Sequence, residues 1–163
     1  YKYDAWRTHL SYALTCSYVF MLTSVALVDL FSQYIYDYML IAYSLINFGI
    51  GALMRGISID SVAGIVTGLF FYGIIYTVAR FVYKREAFGM GDVLLLAVIG
   101  VVLDARSTFI VGFLAFYVSL VHLLIQFIVN RRLNRKEAIA FGPSIAVAGL
   151  VVYYAVDKIL TFF

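Results

Sequence analysis

Residues 108–129 read TFIVGFLAFYVSLVHLLIQFIV, an apolar run that contains no Asp, Glu, Lys or Arg. In a helix that rises ~1.5 Å per residue, about 20 such residues cross the ~30 Å hydrocarbon core of a bilayer. Five further apolar runs lie between the charged segments of the chain. The six predicted membrane helices are 9–30, 38–54, 61–83, 88–103, 108–129 and 141–159.

The composition of the whole chain excludes an ordinary soluble protein. Its 163 residues are 64% hydrophobic and 13% charged, whereas soluble domains average about 45–50% apolar and ~25% charged residues. The runs lack the period-2 alternation of membrane barrel strands, and backbone groups in lipid must be hydrogen-bonded internally. We therefore expect an all-α, polytopic transmembrane helix bundle of about six helices, forming a single domain over residues 1–163.

The net charge and the single cysteine exclude further classes of function. The net charge of +3 is small and is concentrated in loops, so it indicates topology or contact with anionic lipid and argues against nucleic-acid binding. Cys16 alone cannot form an intramolecular disulfide or a thiolate-rich zinc site. Because the chain begins Tyr1-Lys2-Tyr3 without methionine, we expect a fragment or domain of a longer protein.

Basic residues predict which end of the bundle faces the cytosol. Six crossings divide the twelve Lys and Arg residues into two groups, one at each end. One end holds Arg80, Lys84, Arg85, Arg131, Arg132, Arg135 and Lys136, and the other holds Lys2, Arg7, Arg55, Arg106 and Lys158. The more basic end is predicted to be cytosolic.

The tyrosines at 34, 36, 38 and 43 fit an interfacial aromatic belt.

Ionisable residues inside apolar runs are the strongest functional signal, because a charge at mid-bilayer costs ~2.5–3.5 kcal/mol or more. Asp29 closes the first predicted helix and Asp92 opens the fourth. Both helix ends lie on the predicted cytosolic side, so the two carboxylates are expected at the same depth, where they can meet. His122 and Gln126 share a face of the fifth helix and are expected to form hydrogen bonds between helices.

A pair of carboxylates at one depth is capable of acid–base chemistry. In a partly dehydrated site, ionising both carboxyl groups costs free energy, so the pair would hold one proton near neutral pH. The ionised partner can then activate water while the protonated one polarises a peptide carbonyl, with no metal or cofactor. The alternative is that each Asp is only a helix-end residue, with Asp92 as an N-terminal cap. The residues alone leave both interpretations open.

Glycines accompany Asp92 and the third predicted helix. Gly89 and Gly91 remove side chains where another backbone would approach a carboxylate, or where the start of the helix must bend. Gly64 and Gly68 form a GxxxG pattern, which favours close packing within the bundle over a dedicated dimer contact.

Three segments carry a resemblance to the type IV prepilin peptidases, membrane aspartyl proteases of the GxGD class. Residues 27–37, LVDLFSQYIYD, are similar to the first aspartate motif of that family. Residues 85–93, REAFGMGDV, are similar to the second, and residues 140–143, AFGP, to the motif that begins the last helix. The matches occur in the family's order and cover nearly the whole chain.

The resemblance implies an aspartic endopeptidase with Asp29 and Asp92 as catalytic residues and with Gly89 and Gly91 as motif support. Its implied substrate is a prepilin or pseudopilin of type IV pilus or type II secretion systems. The leader peptide would be removed at the cytosolic face of the bacterial inner membrane. The resemblance does not indicate whether the protein is a monomer or an oligomer.

The sequence departs from the family pattern at three positions. Tyr36 and Ala140 stand where the family usually has Pro, and Leu94 stands where Lys is common. None of these changes removes a carboxylate, so proteolysis is expected to be retained. The cytosolic region with two CxxC pairs that supports N-methylation in many members is not in this chain. We expect it either to have been left out of the fragment or to be missing from a peptidase-only form.

Two alternatives remain open from the residues. The first is a non-enzymatic membrane protein, a transporter or an assembly subunit, whose Asp pair binds protons or cations. The second is a catalytically decayed homologue that binds pilins without cutting them.

Overall fold

The computed structural model describes residues 2–56, 58–83, 89–130 and 140–162, and over these ranges it contains six α-helices and no strand. The helices are α1 (Lys2–Ser32), α2 (Asp37–Arg55), α3 (Ile59–Tyr83), α4 (Met90–Val102), α5 (Ala105–Asn130) and α6 (Gly142–Phe162). The prediction of an all-α bundle of about six helices is confirmed.

Four of the described helices are long and apolar enough to cross a membrane. These segments are Trp6–Ser32, Asp37–Met54, Ile59–Val82 and Ala105–Ile125. Two further helical segments, Met90–Val102 and Gly142–Ala155, are apolar but shorter. Large apolar side chains such as Phe31, Phe70 and Phe81 are exposed on the outside of the bundle. Lipid accommodates such a surface and water does not, so the fold is a helical membrane bundle.

The short helix α4 lies at the centre of the bundle. It packs against α2, α3, α5 and α6, and ten of its 13 residues are buried. A helix that is apolar on all sides and covered by protein does not have to match the bilayer thickness. The predicted range 88–103 is too long, because Gly89 and Leu103 already have extended backbone, and Phe88 lies outside the described residues.

The contact between α3 and α4 depends on glycine. A Cβ atom added to Gly64 would collide with the carbonyl of Gly100, and one added to Gly68 would lie 2.7 Å from the carbonyl oxygen of Leu96. Small residues allow membrane helices to approach this closely. The GxxxG pattern therefore serves packing within the bundle, as predicted, and it fixes the register of the two antiparallel helices.

Helix α1 is longer than its apolar run. It begins at Lys2 instead of residue 9 and includes the exposed residues Arg7 and His9. A prediction from hydropathy stops at the first charged residues. The helix itself continues through exposed polar residues, because their backbone groups still form the helical hydrogen bonds. The helix ends where Gln33 adopts a positive φ of 53° and its N–H donates to the carbonyl of Asp29 at 2.8 Å. This turn directs the chain into α2.

Candidate active site

Asp29 lies in the last turn of α1 and is 5% exposed. The negative end of the helix dipole disfavours a carboxylate at this position, and α1 has no basic residue in its last turn. The stabilising group comes from another helix, since the backbone N–H of Gly142 donates to Asp29 Oδ2 at 2.8 Å. Gly142 is the first residue of α6, so a helix N-terminus faces the carboxylate.

Asp92 lies in the first turn of α4 and is 8% exposed. The N-cap of this helix is Gly89, and the backbone N–H of Gly89 donates to the Asp92 carboxylate. A carboxylate three residues after the N-cap that accepts this N–H is the acidic half of a capping box. Asp92 is therefore not the N-cap itself, which corrects the alternative interpretation, although it does satisfy a backbone donor at the helix start.

The structure brings Asp29 and Asp92 together, and their carboxylates interact electrostatically. They come from the end of α1 and the start of α4, at the same end of the bundle. Alternation of helix direction predicts this shared depth. Their proximity depends on the lateral arrangement of the helices, with α4 enclosed by the others.

Glycines make room for both carboxylates. A Cβ atom on Gly89 would lie 3.0 Å from Asp92 Oδ2, and a Cβ atom on Gly142 would lie 2.7 Å from Asp29 Oδ2. A Cβ atom on Gly91 would lie 2.8 Å from Cβ of Ile35, a buried residue of the connection between α1 and α2. The start of α4 can therefore approach the segment that follows Asp29.

Tyr72 is a residue of the site that the sequence analysis missed. Its side chain is fully buried, and its hydroxyl donates to the carbonyl of Gly112 at 3.0 Å. The contacts of Gly64 with Gly100 and of Gly68 with Leu96 place residue 72 one helical turn closer to the start of α4. A signal for it exists in the sequence, because Tyr72 follows Gly64 and Gly68 at the same four-residue spacing along the face of α3 that packs on α4.

The positions that depart from the family pattern lie around the carboxylates without replacing them. Tyr36 is exposed, and its ring lies 5.2 Å from that of Tyr34 and 5.4 Å from that of Tyr38. Leu94 is partly buried and packs against the apolar core. Ala140 is half-buried and directly precedes Phe141.

The remaining candidate residues do not join the site. His122 is exposed on α5, and no hydrogen bond of its side chain is found among the described residues, so the predicted interhelical bond is not observed. The side chain of Gln126 and the basic segments at 84–85 and 131–136 lie outside the described residues. Within the described ranges, no group of three or more His, Cys, Asp or Glu side chains could hold a metal ion.

Comparison with known proteins gives one match. The model of the type IV leader peptidase family matches residues 16–125, a segment that contains both Asp29 and Asp92. No curated protein and no solved structure gives a significant match. Since the family model covers more than half of the chain and most of the bundle, this chain belongs to the type IV leader peptidase family.

Proposed function

We propose that this membrane peptidase is an intramembrane aspartyl endopeptidase with Asp29 and Asp92 as its catalytic pair. Its substrate is a prepilin or pseudopilin, whose leader peptide it removes at the cytosolic face of the bacterial inner membrane. The observation that carries the proposal is the convergence of two buried carboxylates from sequence-distant helices at one end of the bundle. Membership of the leader peptidase family supports the substrate class.

A purely structural role accounts poorly for this pair. Asp29 sits at the helix end where the dipole disfavours a negative charge, and it depends on a donor from α6. Asp92 accepts a backbone N–H at the start of α4, but this capping interaction does not require a second buried carboxylate beside it. Two like charges in one buried site cost free energy. A pair that shares one proton for catalysis explains why both are present.

The proposed reaction uses the two carboxyl groups in complementary protonation states. The ionised carboxylate removes a proton from a water molecule, whose oxygen attacks the scissile carbonyl carbon. The protonated carboxyl group donates a hydrogen bond to the carbonyl oxygen and stabilises the developing negative charge. The tetrahedral intermediate then collapses, the C–N bond breaks, and the leaving amine takes up a proton from the pair. No metal or cofactor takes part.

The test is cleavage of prepilin and pseudopilin substrates by the protein in membranes, with Asp29→Asn and Asp92→Asn variants. Each variant is expected to lose at least ~10²-fold in rate, because each removes a general acid or base. Asp60→Asn is the matched control, since Asp60 is an exposed acid in the first turn of α3, at the other end of the bundle. It is expected to cleave like the wild type. Folded amounts are compared for all proteins.

Two results would contradict the proposal. Full cleavage by either dyad variant would remove that residue from the catalytic pair. Failure of the wild type on several pilin-like substrates would favour a decayed homologue, or a protein whose Asp pair binds ions. Ion-coupled transport in proteoliposomes that disappears in Asp29→Asn would identify the latter.

A further inference from the structure

We propose that Tyr34, Tyr36 and Tyr38 are positioning residues of the proposed catalytic pair. Their stacked rings, the tyrosine stack, hold the connection between α1 and α2 against the start of α4. The connection comprises residues 33–36, between the end of α1 and the start of α2. This inference rests on the proposed function and deepens it, because it assigns a role to side chains outside the aspartate pair.

The middle of the connection lacks backbone hydrogen bonds of its own. At its start, the N–H of Gln33 donates to the Asp29 carbonyl at 2.8 Å, and at its end the Tyr36 carbonyl accepts the N–H of Met39 at 3.0 Å. Among the described residues, the N–H groups of residues 34–36 donate no backbone hydrogen bond. The position of this segment therefore depends on its side chains.

The two sides of the connection carry different side chains, because successive side chains of extended backbone point in opposite directions. Ile35 is buried and packs against Gly91, where an added Cβ atom would lie 2.8 Å from Ile35 Cβ. Gly91 directly precedes Asp92, so the inner side of the connection contacts the start of α4. Tyr34 and Tyr36, which flank Ile35, are exposed on the outer side.

The exposed tyrosines contact one another. The ring centroids of Tyr34 and Tyr36 lie 5.2 Å apart, and those of Tyr36 and Tyr38 lie 5.4 Å apart. Aromatic pairs attract each other at such separations. Because Tyr38 belongs to the first turn of α2, the stack ties the connection to a helix. Three independent interfacial anchors would not need these contacts, whereas restraint of the connection does.

The backbone of Tyr36 makes it possible to separate this restraint from other roles of the ring. Its φ of −79° is close to the value of about −65° that proline imposes. Among the described residues, its N–H, which proline would remove, donates no backbone hydrogen bond. Ile35 is not helical, which suits a residue that precedes proline. Tyr36→Pro therefore removes the ring but stiffens the same backbone.

The test compares kcat and KM of Tyr36→Ala and Tyr36→Pro on the same pilin-like substrate, with folded amounts measured for each. Both variants lack the ring, and only proline restrains the connection. We expect Tyr36→Ala to lower kcat about tenfold with KM unchanged, because small displacements of reacting groups slow a reaction. Tyr36→Pro is expected to keep a kcat close to the wild-type value.

Two further variants complete the comparison. Tyr34→Ala removes one of the two ring contacts, so it should lower kcat less than Tyr36→Ala. Tyr12→Ala is the control, because Tyr12 is an exposed tyrosine of α1 that makes no ring contact within the described ranges. It is expected to keep the wild-type kcat.

Electron paramagnetic resonance measures the restraint without a substrate. In a Cys16→Ser background, a nitroxide on Gln33→Cys reports motion at the exposed start of the connection. The label should be more mobile in Tyr36→Ala than in the otherwise unchanged protein. In Tyr36→Pro its mobility should be unchanged.

Equal kcat values for Tyr36→Ala and Tyr36→Pro would overturn the inference. Equal losses would mean that the ring itself acts on substrate or lipid, and equal retention would mean that the stack is not needed. A change confined to KM would also overturn it. If Asp29→Asn and Asp92→Asn lose cleavage while Tyr36→Ala retains it, only the role of the stack fails. If the wild type does not cleave, the proposed function fails, and the nitroxide spectra still decide whether the stack restrains the connection.

Discussion

Gly142 is the residue with the strictest steric requirement at the site. Its N–H donates to Asp29 Oδ2 at 2.8 Å, and a Cβ atom on it would lie 2.7 Å from the same oxygen. The donor can approach the carboxylate only because the residue has no side chain. Gly142 thus contributes its backbone N–H to the site, and a search of the sequence for reactive side chains does not find it.

Gly142→Ala is therefore expected to lower cleavage by about 10²-fold, because the added methyl group displaces Asp29, a member of the proposed catalytic pair. Thermal stability is measured beside cleavage, because a Cβ atom at this buried position also crowds the Asp29 side chain. Gly49→Ala is the control, because a Cβ atom on Gly49 meets nothing within 4 Å. Wild-type cleavage by Gly142→Ala would show that the position of Asp29 tolerates this displacement.

At the scale of elements, the contact between α3 and α4 holds the second carboxylate in place. Helix α4 is only 13 residues long, and its burial comes from the helices around it. Gly64 and Gly100 bring its backbone against α3, with no space for a side chain between them. The position of Asp92 at the start of α4 depends on this contact.

Gly64→Ala is expected to destabilise the bundle by about 1–3 kcal/mol, because overpacking separates the two helices. The thermal midpoint in detergent should fall by ~2–4 °C per kcal/mol for a protein of this size. Gly73→Ala, on the same helix, is the control, since a Cβ atom there meets nothing within 4 Å. Equal midpoints for the two variants would show that the helices can adjust at no cost.

The start of α5 provides a pH-dependent element outside the membrane-spanning segments. Hydrogen bonds from the side chain and backbone of Ser107 hold the pKa of Asp104 below its ordinary value of 3.8, and the backbone bond measures 3.2 Å. Asp104 directly precedes the helix and acts as its N-cap. A lowered folded-state pKa stabilises the fold above the unfolded pKa, and this contribution is lost as the pH falls through the folded pKa.

The wild type is accordingly expected to be more stable than Asp104→Asn near neutral pH, because only the carboxylate adds a negative charge to the helix N-terminus. The difference should disappear as the pH falls through the lowered pKa of Asp104, because the carboxyl is then protonated whereas an amide caps without titrating. Thermal midpoints of the two proteins across this pH range test the expectation. A difference that does not change with pH would contradict it.

At the scale of the whole molecule, the two ends of the bundle differ in chemistry. One end holds Asp29, Asp92 and the Gly142 donor beside the exposed tyrosines 34, 36 and 38. The opposite end has a small open cleft lined by Phe48, Gly51, Ala52, Gly56, Ser58, Ser61 and Val101, with no ionisable group among them. The proposed cleavage reaction is expected at the first end, where the two buried carboxylates lie.

The basic residues predict that this first end faces the cytosol. In a Cys16→Ser background, Tyr34→Cys should react with a membrane-impermeant maleimide only after the membrane is permeabilised. Asp60→Cys, in an exposed position at the other end, should react without permeabilisation. The opposite labelling pattern would reverse the orientation and place the site on the outer face.

The helical segments and the shared depth of the carboxylates could be predicted from the sequence. A membrane helix that is exposed to lipid needs about 20 apolar residues, so hydropathy locates the long segments. Alternating direction then puts Asp29 and Asp92 at one end, and the aspartate motifs mark the same residues. Boundaries at charged or extended ends were less accurate, as at Lys2 and Gly89, because hydropathy does not report backbone hydrogen bonds.

Which helices touch was decided only by the tertiary structure. In a membrane, lipid-facing and core-facing side chains are both apolar, so the pattern of a helix does not reveal its neighbours. The central burial of α4, the hydrogen bond from Gly142 to Asp29 and the hydrogen bond from Tyr72 to Gly112 all depend on lateral packing. The sequence by itself determined that two carboxylates lie at one depth, and packing determined that they come close enough to interact electrostatically.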